Sequence, residues 1–214
     1  MDLTTLSVPM AVNILILLLI GMGPKIALVP FLEKTKGMTP EVQRKIGTTM
    51  VITATVTALV LLLVGSLLTR LLHISTAAVA VAGGIVLMLL ALKMTAGPSE
   101  GHAKEEEAAE VLDHSRIAIY PLAVPYLLNP VGIVLLIVAS VESHSLLIQA
   151  TVGGLVLLVG AFDMLVFRNI DILSKRLNPT TLVISEVVFG ILLAAVAVEL
   201  TVAGLTRYGI IEKL

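Results

Sequence analysis

Two interruptions in long apolar runs hold the residues of this chain best suited to chemistry. The first is Gly21-Met22-Gly23-Pro24-Lys25, and the second is Asn129-Pro130-Val131-Gly132, which follows Pro121 and Pro125. Proline inside a helix removes a hydrogen bond and clashes with the preceding turn, at about 3 kcal/mol in water. Asparagine followed by proline is also how a helix begins, because the asparagine caps and the proline takes the first position, where its missing N–H is not needed. The pattern therefore predicts one half-helix starting at Pro130 and another at Pro24. Such a start turns free N–H groups and about half a positive charge toward whatever lies before it, while the preceding half-helix ends in free carbonyls that suit a cation. One break thus offers a carboxylate site beside an ammonium site, and glycine at 21, 23 and 132 leaves room for backbone but little for a large side chain. A small zwitterion suits this chemistry. Its candidate binding residues are Gly21, Gly23, Pro24, Lys25, Ile26, Asn129, Pro130, Val131 and Gly132. Two ordinary proline kinks are the alternative.

Ionisable and hydroxyl residues inside apolar runs come next. Asp163 stands deep in the fifth run, where an acid costs about 2.5–3.5 kcal/mol on insertion scales, so it should face a partner or a wet cavity. Thr49, Thr53 and Thr57 recur every four residues on one face of the second run, a polar seam unless they bond their own backbone carbonyls. Asp163, Glu186, Thr53 and Thr57 are the candidate ion-coupling residues, for a proton or for sodium; Glu186 fits a cytoplasmic interface as well. Lys25 is placed to pair with Asp163, to attract a carboxylate, or to snorkel. His102 and His114 lie in a solvated stretch as weak metal candidates. No catalytic constellation, phosphate-binding loop or metal-spaced cluster is apparent, so the expectation is a non-enzyme without metal or cofactor beyond a coupling ion.

The elements that must position these residues follow from composition. With 57% hydrophobic and 14% charged residues in 214, the chain lacks the polar surface of a soluble domain, which usually carries about a quarter charged residues. Six apolar runs, at about 8–32, 46–69, 76–95, 117–141, 146–167 and 180–206, are each long enough to cross a hydrocarbon core of about 30 Å. The absence of cysteine excludes disulfides and thiolate metal sites, and a net charge of -1 argues against nucleic acid as a partner. The first run lacks a preceding positive residue and a cleavage site, and reads as a permanent helix. Lys34, Lys36, Arg44, Lys45, Lys93, Lys104, Arg116, Arg168, Lys175 and Arg176 fall in loops on one side and Arg70, Arg207 and Lys213 on the other. That bias places both termini outside the cytoplasm of a cell-membrane protein.

An offset of 106 residues brings the halves into register: Gly47 on Gly153, Gly84 on Gly190, Pro24 on Pro130, Arg70 on Arg176, with Leu67 and Leu71 on Leu173 and Leu177. Three spans per half is an odd number, so the second half inserts upside down. The expected fold is all-α and integral to the membrane: six transmembrane helices as two inverted three-helix repeats, residues 1–96 and 116–214, joined by an acidic cytoplasmic linker at 97–115. Helices 1 and 4 are expected to break near the midplane, where the pseudo-twofold brings the breaks together. Gly83 and Gly84 with Ala80, and Gly153 and Gly154 with Gly160, read as close-packing positions.

Several stretches together resemble the MarC family. They are Gly-Pro-Lys-Ile-Ala-Leu-Val-Pro-Phe-Leu at 23–32, Ala-Gly-Gly-Ile at 82–85, Tyr-Pro-Leu-Ala-Val-Pro at 120–125, Asn-Pro-Val-Gly at 129–132, and Phe-Gly-Ile-Leu-Leu-Ala-Ala-Val-Ala-Val-Glu-Leu at 189–200 with Gly204. The resemblance covers nearly the whole chain. It implies a kinship with SnatA-type small neutral amino acid transporters of the LysE superfamily. Family members usually show Asn-Pro-x-Gly at the first break and a Gly-Pro-Gly-like run at the second; here Gly23-Pro24-Lys25-Ile26 lacks the asparagine and the following glycine. The family's site therefore carries over most directly onto Asn129, Pro130 and Gly132. The expected function is secondary transport of glycine, alanine or serine by alternating access, coupled to a proton or sodium gradient, with a zwitterionic substrate and the bilayer as partners and oligomeric state open. An efflux carrier for drugs or other solutes, and a non-transporting scaffold or accessory subunit, are the alternatives.

Overall fold

A computed structural model of the protein describes residues 8–95, 114–143, 145–170 and 179–211. The described residues form helices joined by short turns and bends, without strands. Helix α1 is Val8–Met22, α2 Pro24–Lys34, α3 Pro40–Leu71, α4 Thr76–Thr95 and α5 the short His114–Ile117. A kinked segment, Ala118–Leu127, leads into α6, Pro130–Glu142, followed by α7, Leu146–Arg168, and α8, Pro179–Arg207. Five spans are long and apolar enough to cross a membrane, and the kinked segment with α6 makes a sixth if that bent pair counts as one span. The 97–115 linker, with His102, lies outside the described residues apart from the helical backbone of His114 and Ser115, as do Leu173, Arg176 and Leu177.

Local sequence accounts for where the helices start. The second span begins at Pro40, not at about 46 as hydropathy suggests, because Thr39 accepts a bond from the Val42 N–H and Pro40 takes the first position. The polar turn with Glu41, Arg44 and Lys45 is therefore helical and extends α3 beyond the apolar part of the span. In the kinked segment, Tyr120 (φ −135°, ψ 128°) and Val124 (φ −134°, ψ 124°) are extended, the conformation that a following proline imposes; both X-Pro bonds there are cis.

Packing follows the rule for helices in lipid, where small residues let backbones approach because the solvent is as apolar as the side chains. Helix α3 buries Gly47, Ala54, Ala58 and Gly65, and α4 buries Ala77, Ala80, Gly84 and Ala91, while Val56, Leu63 and Leu89 face outward. Among the described residues the most extensive contact is α4 on α8, and its geometry repeats itself. A Cβ on Gly84 would strike the Thr201 hydroxyl and lie 2.9 Å from the Ala197 carbonyl oxygen. One on Gly190 would lie 2.6 Å from Thr95 Cγ2 and 3.1 Å from the Ala91 carbonyl oxygen. Thr95 and Thr201 each donate to the carbonyl four residues back, at 3.2 Å and 2.9 Å. Among the expected close-packing glycines, Gly83 meets Val134 and Gly160 meets Thr55, but Gly154 has nothing within 4 Å and faces open space.

Candidate functional site

The two interruptions meet. Helix α1 ends at Met22 and α2 starts at Pro24, with Gly23 extended between them (φ −82°, ψ 159°). The kinked segment and α6 meet at 73° across Leu128 and Asn129. A Cβ on Gly21 would land on the Gly132 nitrogen and Cα, and one on Gly132 would lie 2.5 Å from the Gly21 carbonyl oxygen. Only glycine at both positions permits this backbone crossing. Ile26 and Val131, one from each interruption, share an apolar cluster with Leu90 and Ala91 of α4 and Leu193 and Ala197 of α8.

Asn129 joins the two interruptions. It is fully buried. Its Oδ1 accepts from the Val131 N–H at 2.9 Å and the Gly132 N–H at 3.3 Å, capping α6. Its Nδ2 donates to the Ile20 carbonyl at 2.7 Å, and its backbone N–H donates to the Gly21 carbonyl at 2.9 Å. Ile20 and Gly21 lie in the last turn of α1, whose carbonyls have no partner within the helix. One carboxamide thus places its oxygen on a helix start and its NH2 on a helix end. These are the two kinds of group that a zwitterion's carboxylate and ammonium would occupy. The expectation of free N–H groups at the second interruption is therefore corrected: Asn129 bonds them, because the residue just before the helix start carries a side chain that can accept.

The first interruption differs. No side chain caps α2, since Gly23 has none to offer. Lys25 is exposed and lines a cavity of about 480 Å³ between α1, α2 and α8, with Ile20, Ile26, Phe189, Leu192 and Val196 among the other walls. Of the remaining expected residues, Gly23 and Pro130 are buried at the junction and Pro24 is half-buried.

The expected coupling residues scatter. Asp163 is fully buried on the inner stripe of α7, and neither carboxyl oxygen has a hydrogen-bond partner. The pairing of Lys25 with Asp163 does not form. Thr53 and Thr57 are half-buried on α3. At about 100° per residue both point some 200° away from Thr55, the threonine that meets α7 at Gly160. Thr55 went unremarked in the sequence because it lies off the four-residue stripe; its Oγ1 is buried without a partner. The Glu186 side chain lies outside the described residues. Sequence reasoning also passed over Thr95 and Thr201, which the 106-residue offset pairs.

The family model for the MarC family integral membrane proteins matches residues 8–208. A UPF0056 membrane protein of Methanocaldococcus jannaschii is 32% identical over 145 residues, 67% of this chain and 70% of the relative. The Escherichia coli UPF0056 membrane protein YhcE is 25% identical over 179 residues, 82% of each chain. A UPF0056 membrane protein of Aquifex aeolicus is 32% identical over 147 residues, 67% of this chain and 68% of the relative. No solved structure matches the chain. Helices of membrane-spanning length, their lipid-facing apolar surfaces and the match over nearly every described residue converge: the chain is an integral, multi-pass membrane protein of the MarC family.

Proposed function

We propose that this protein is a secondary transporter of small neutral amino acids, of the glycine, alanine and serine class, working by alternating access in the cell membrane. The observation that carries the reading is the meeting of two helix interruptions through Asn129, which bonds the start of α6 and the end of α1 at once. A zwitterion that displaced the carboxamide would find an acceptor set for its ammonium and a donor set for its carboxylate, within a space only a small side chain could share. Both termini lie outside the cytoplasm in this reading, and a proton or sodium gradient drives the cycle.

The halves are inverted repeats in this reading, with helices 1 and 4 broken near the midplane. The α4–α8 contact supports that arrangement. Gly84 on Thr201 and Ala197, and Gly190 on Thr95 and Ala91, are one contact seen twice through an offset of 106. The corresponding helices α3 and α7 also pack on each other, and the contact of α1 with α6 has its counterpart in that of α2 with the kinked segment. Two equivalent packings about such an axis open to opposite sides.

Uptake and counterflow of a labelled amino acid panel in proteoliposomes, with and without proton and sodium gradients, test the proposal. Movement of glycine or alanine that is lost on Asn129→Ala or Gly132→Leu is the expected result. Folded protein that moves no amino acid under any gradient overturns it. The cavity beside Lys25 favours a second reading, efflux of larger amphipathic solutes, since it is apolar apart from one cation. Competition by such solutes that is lost on Lys25→Met, with no amino acid movement, would select it.

A further inference from the structure

Asp163 and Thr55 are two polar side chains that the fold leaves unused in one seam. Thr55 Oγ1 and both Asp163 carboxyl oxygens are buried without hydrogen-bond partners. A Cβ on Gly160 would lie 2.5 Å from the Thr55 hydroxyl, and Asp163 follows Gly160 by three residues on the same buried stripe of α7. Positions three apart on a helix stand about 5–6 Å from each other, so Thr55, set against Gly160, and Asp163 border the same turn of α7. One turn further on, Phe167 packs on Phe31 of α2 at 5.1 Å between ring centroids. The surroundings are otherwise apolar: Met50, Ala54, Val156, Val159 and Phe167 belong to the main core cluster.

An ionised carboxylate held there alone would cost several kcal/mol after relaxation. Among the described residues, nothing nearby offsets that cost. Helix α7 packs on α1, α2, α3 and α6. Helix α1 has no ionisable residue; Lys25 and Glu33 of α2, and Glu41, Arg44, Lys45 and Arg70 of α3, are exposed, as is Arg168 of α7 itself. Lys34 is half-buried at the far end of α2, Glu142 pairs with Arg207, and none of these bonds Asp163. Hard metal ions such as calcium and magnesium gather about six or more oxygen ligands. The seam offers the two carboxyl oxygens and one hydroxyl, while the neighbouring backbone carbonyls belong to helices.

We propose that Asp163 is a proton-carrying site with Thr55 as its positioning residue, and that Asp163, not Thr53 or Thr57, carries the coupling ion of the transporter. The coupling role rests on the function proposed above; the proton site does not. Dicyclohexylcarbodiimide, which adds to protonated carboxyls in apolar surroundings, provides the test on the full chain in detergent or liposomes. The expected result is an adduct mapped by mass spectrometry to Asp163, declining tenfold or more as pH is raised and absent in Asp163→Asn. Thr55→Val should shift that pH profile and Thr55→Ser restore it, whereas a residue that merely packs would leave it in place. Labelling confined to other carboxyls of the folded wild-type chain overturns the proton site. Protection by sodium chloride at fixed pH overturns it in favour of a metal cation. Proton-driven accumulation should fall at least tenfold in Asp163→Asn, and accumulation at the wild-type level overturns the coupling role. If the wild-type chain moves no amino acid, the transporter reading fails while the labelling still decides the site.

Discussion

Replacing Gly132 by alanine should do far more damage than one methyl group ordinarily does. The added Cβ would lie 2.5 Å from the Gly21 carbonyl oxygen and 3.0 Å from Leu128 Cδ1, and the first of these neighbours is backbone that cannot rotate away. Overpacking a tight core costs about 1–3 kcal/mol. Separating the chains also stretches the bonds from Asn129 to the Ile20 and Gly21 carbonyls, worth about 0.6 kcal/mol each by the average for membrane proteins. Helix propensity returns about 1 kcal/mol to alanine. The net loss is about 2 kcal/mol, or about 4–8 °C in melting temperature for a chain of this size. The control is Gly154→Ala, where no atom lies within 4 Å; there the propensity gain stands alone and stability should hold or rise slightly. Thermal unfolding in one detergent, followed by circular dichroism and by ligand-free tryptic resistance, reads both variants. Equal melting temperatures for Gly132→Ala and Gly154→Ala would refute the close crossing and with it the placement of Asn129.

Further outcomes follow from the same contacts. Asn129→Asp keeps the cap on α6 but turns an acceptor toward the Ile20 carbonyl, so it should destabilise by roughly 1–3 kcal/mol, the cost of an unmatched buried group; a melting temperature equal to wild type would contradict the cross-link. Gly84→Leu and Gly190→Leu should lower the melting temperature by comparable amounts, because they wedge the same helix pair at related positions; loss in only one would count against the repeat. Thr201→Ala should partly rescue Gly84→Ala and leave Gly190→Ala unimproved, measured as a double-mutant cycle. Glu142→Gln should cost under about 1 kcal/mol, since its pair with Arg207 at 2.9 Å is 29–31% exposed and screened; a loss of several kcal/mol would show that the pair is shielded from water.

Sequence alone marked this chain as one that lives in lipid, set out the apolar runs long enough to cross it, and placed prolines inside two of them. Those properties are local: transfer energy sums along a segment, and proline breaks whichever helix contains it. It also marked the polar residues that lipid makes costly, Asp163 and Asn129 among them. Tertiary structure decided what each of these meets. Asn129 could be read as a cap, but not as a cap that also reaches the end of α1, since that depends on a helix more than a hundred residues away. Spacing set Thr53 and Thr57 apart as a stripe, yet Thr55 is the one that faces α7, because a helix's periodicity fixes its faces and not which neighbour each face receives. Gly160 and Gly154 are indistinguishable as residues; one is crowded by Thr55 and the other stands in the open. Whether a buried polar group is satisfied, or a glycine is needed, is a property of two segments together, and only the packed helices bring the second segment into place.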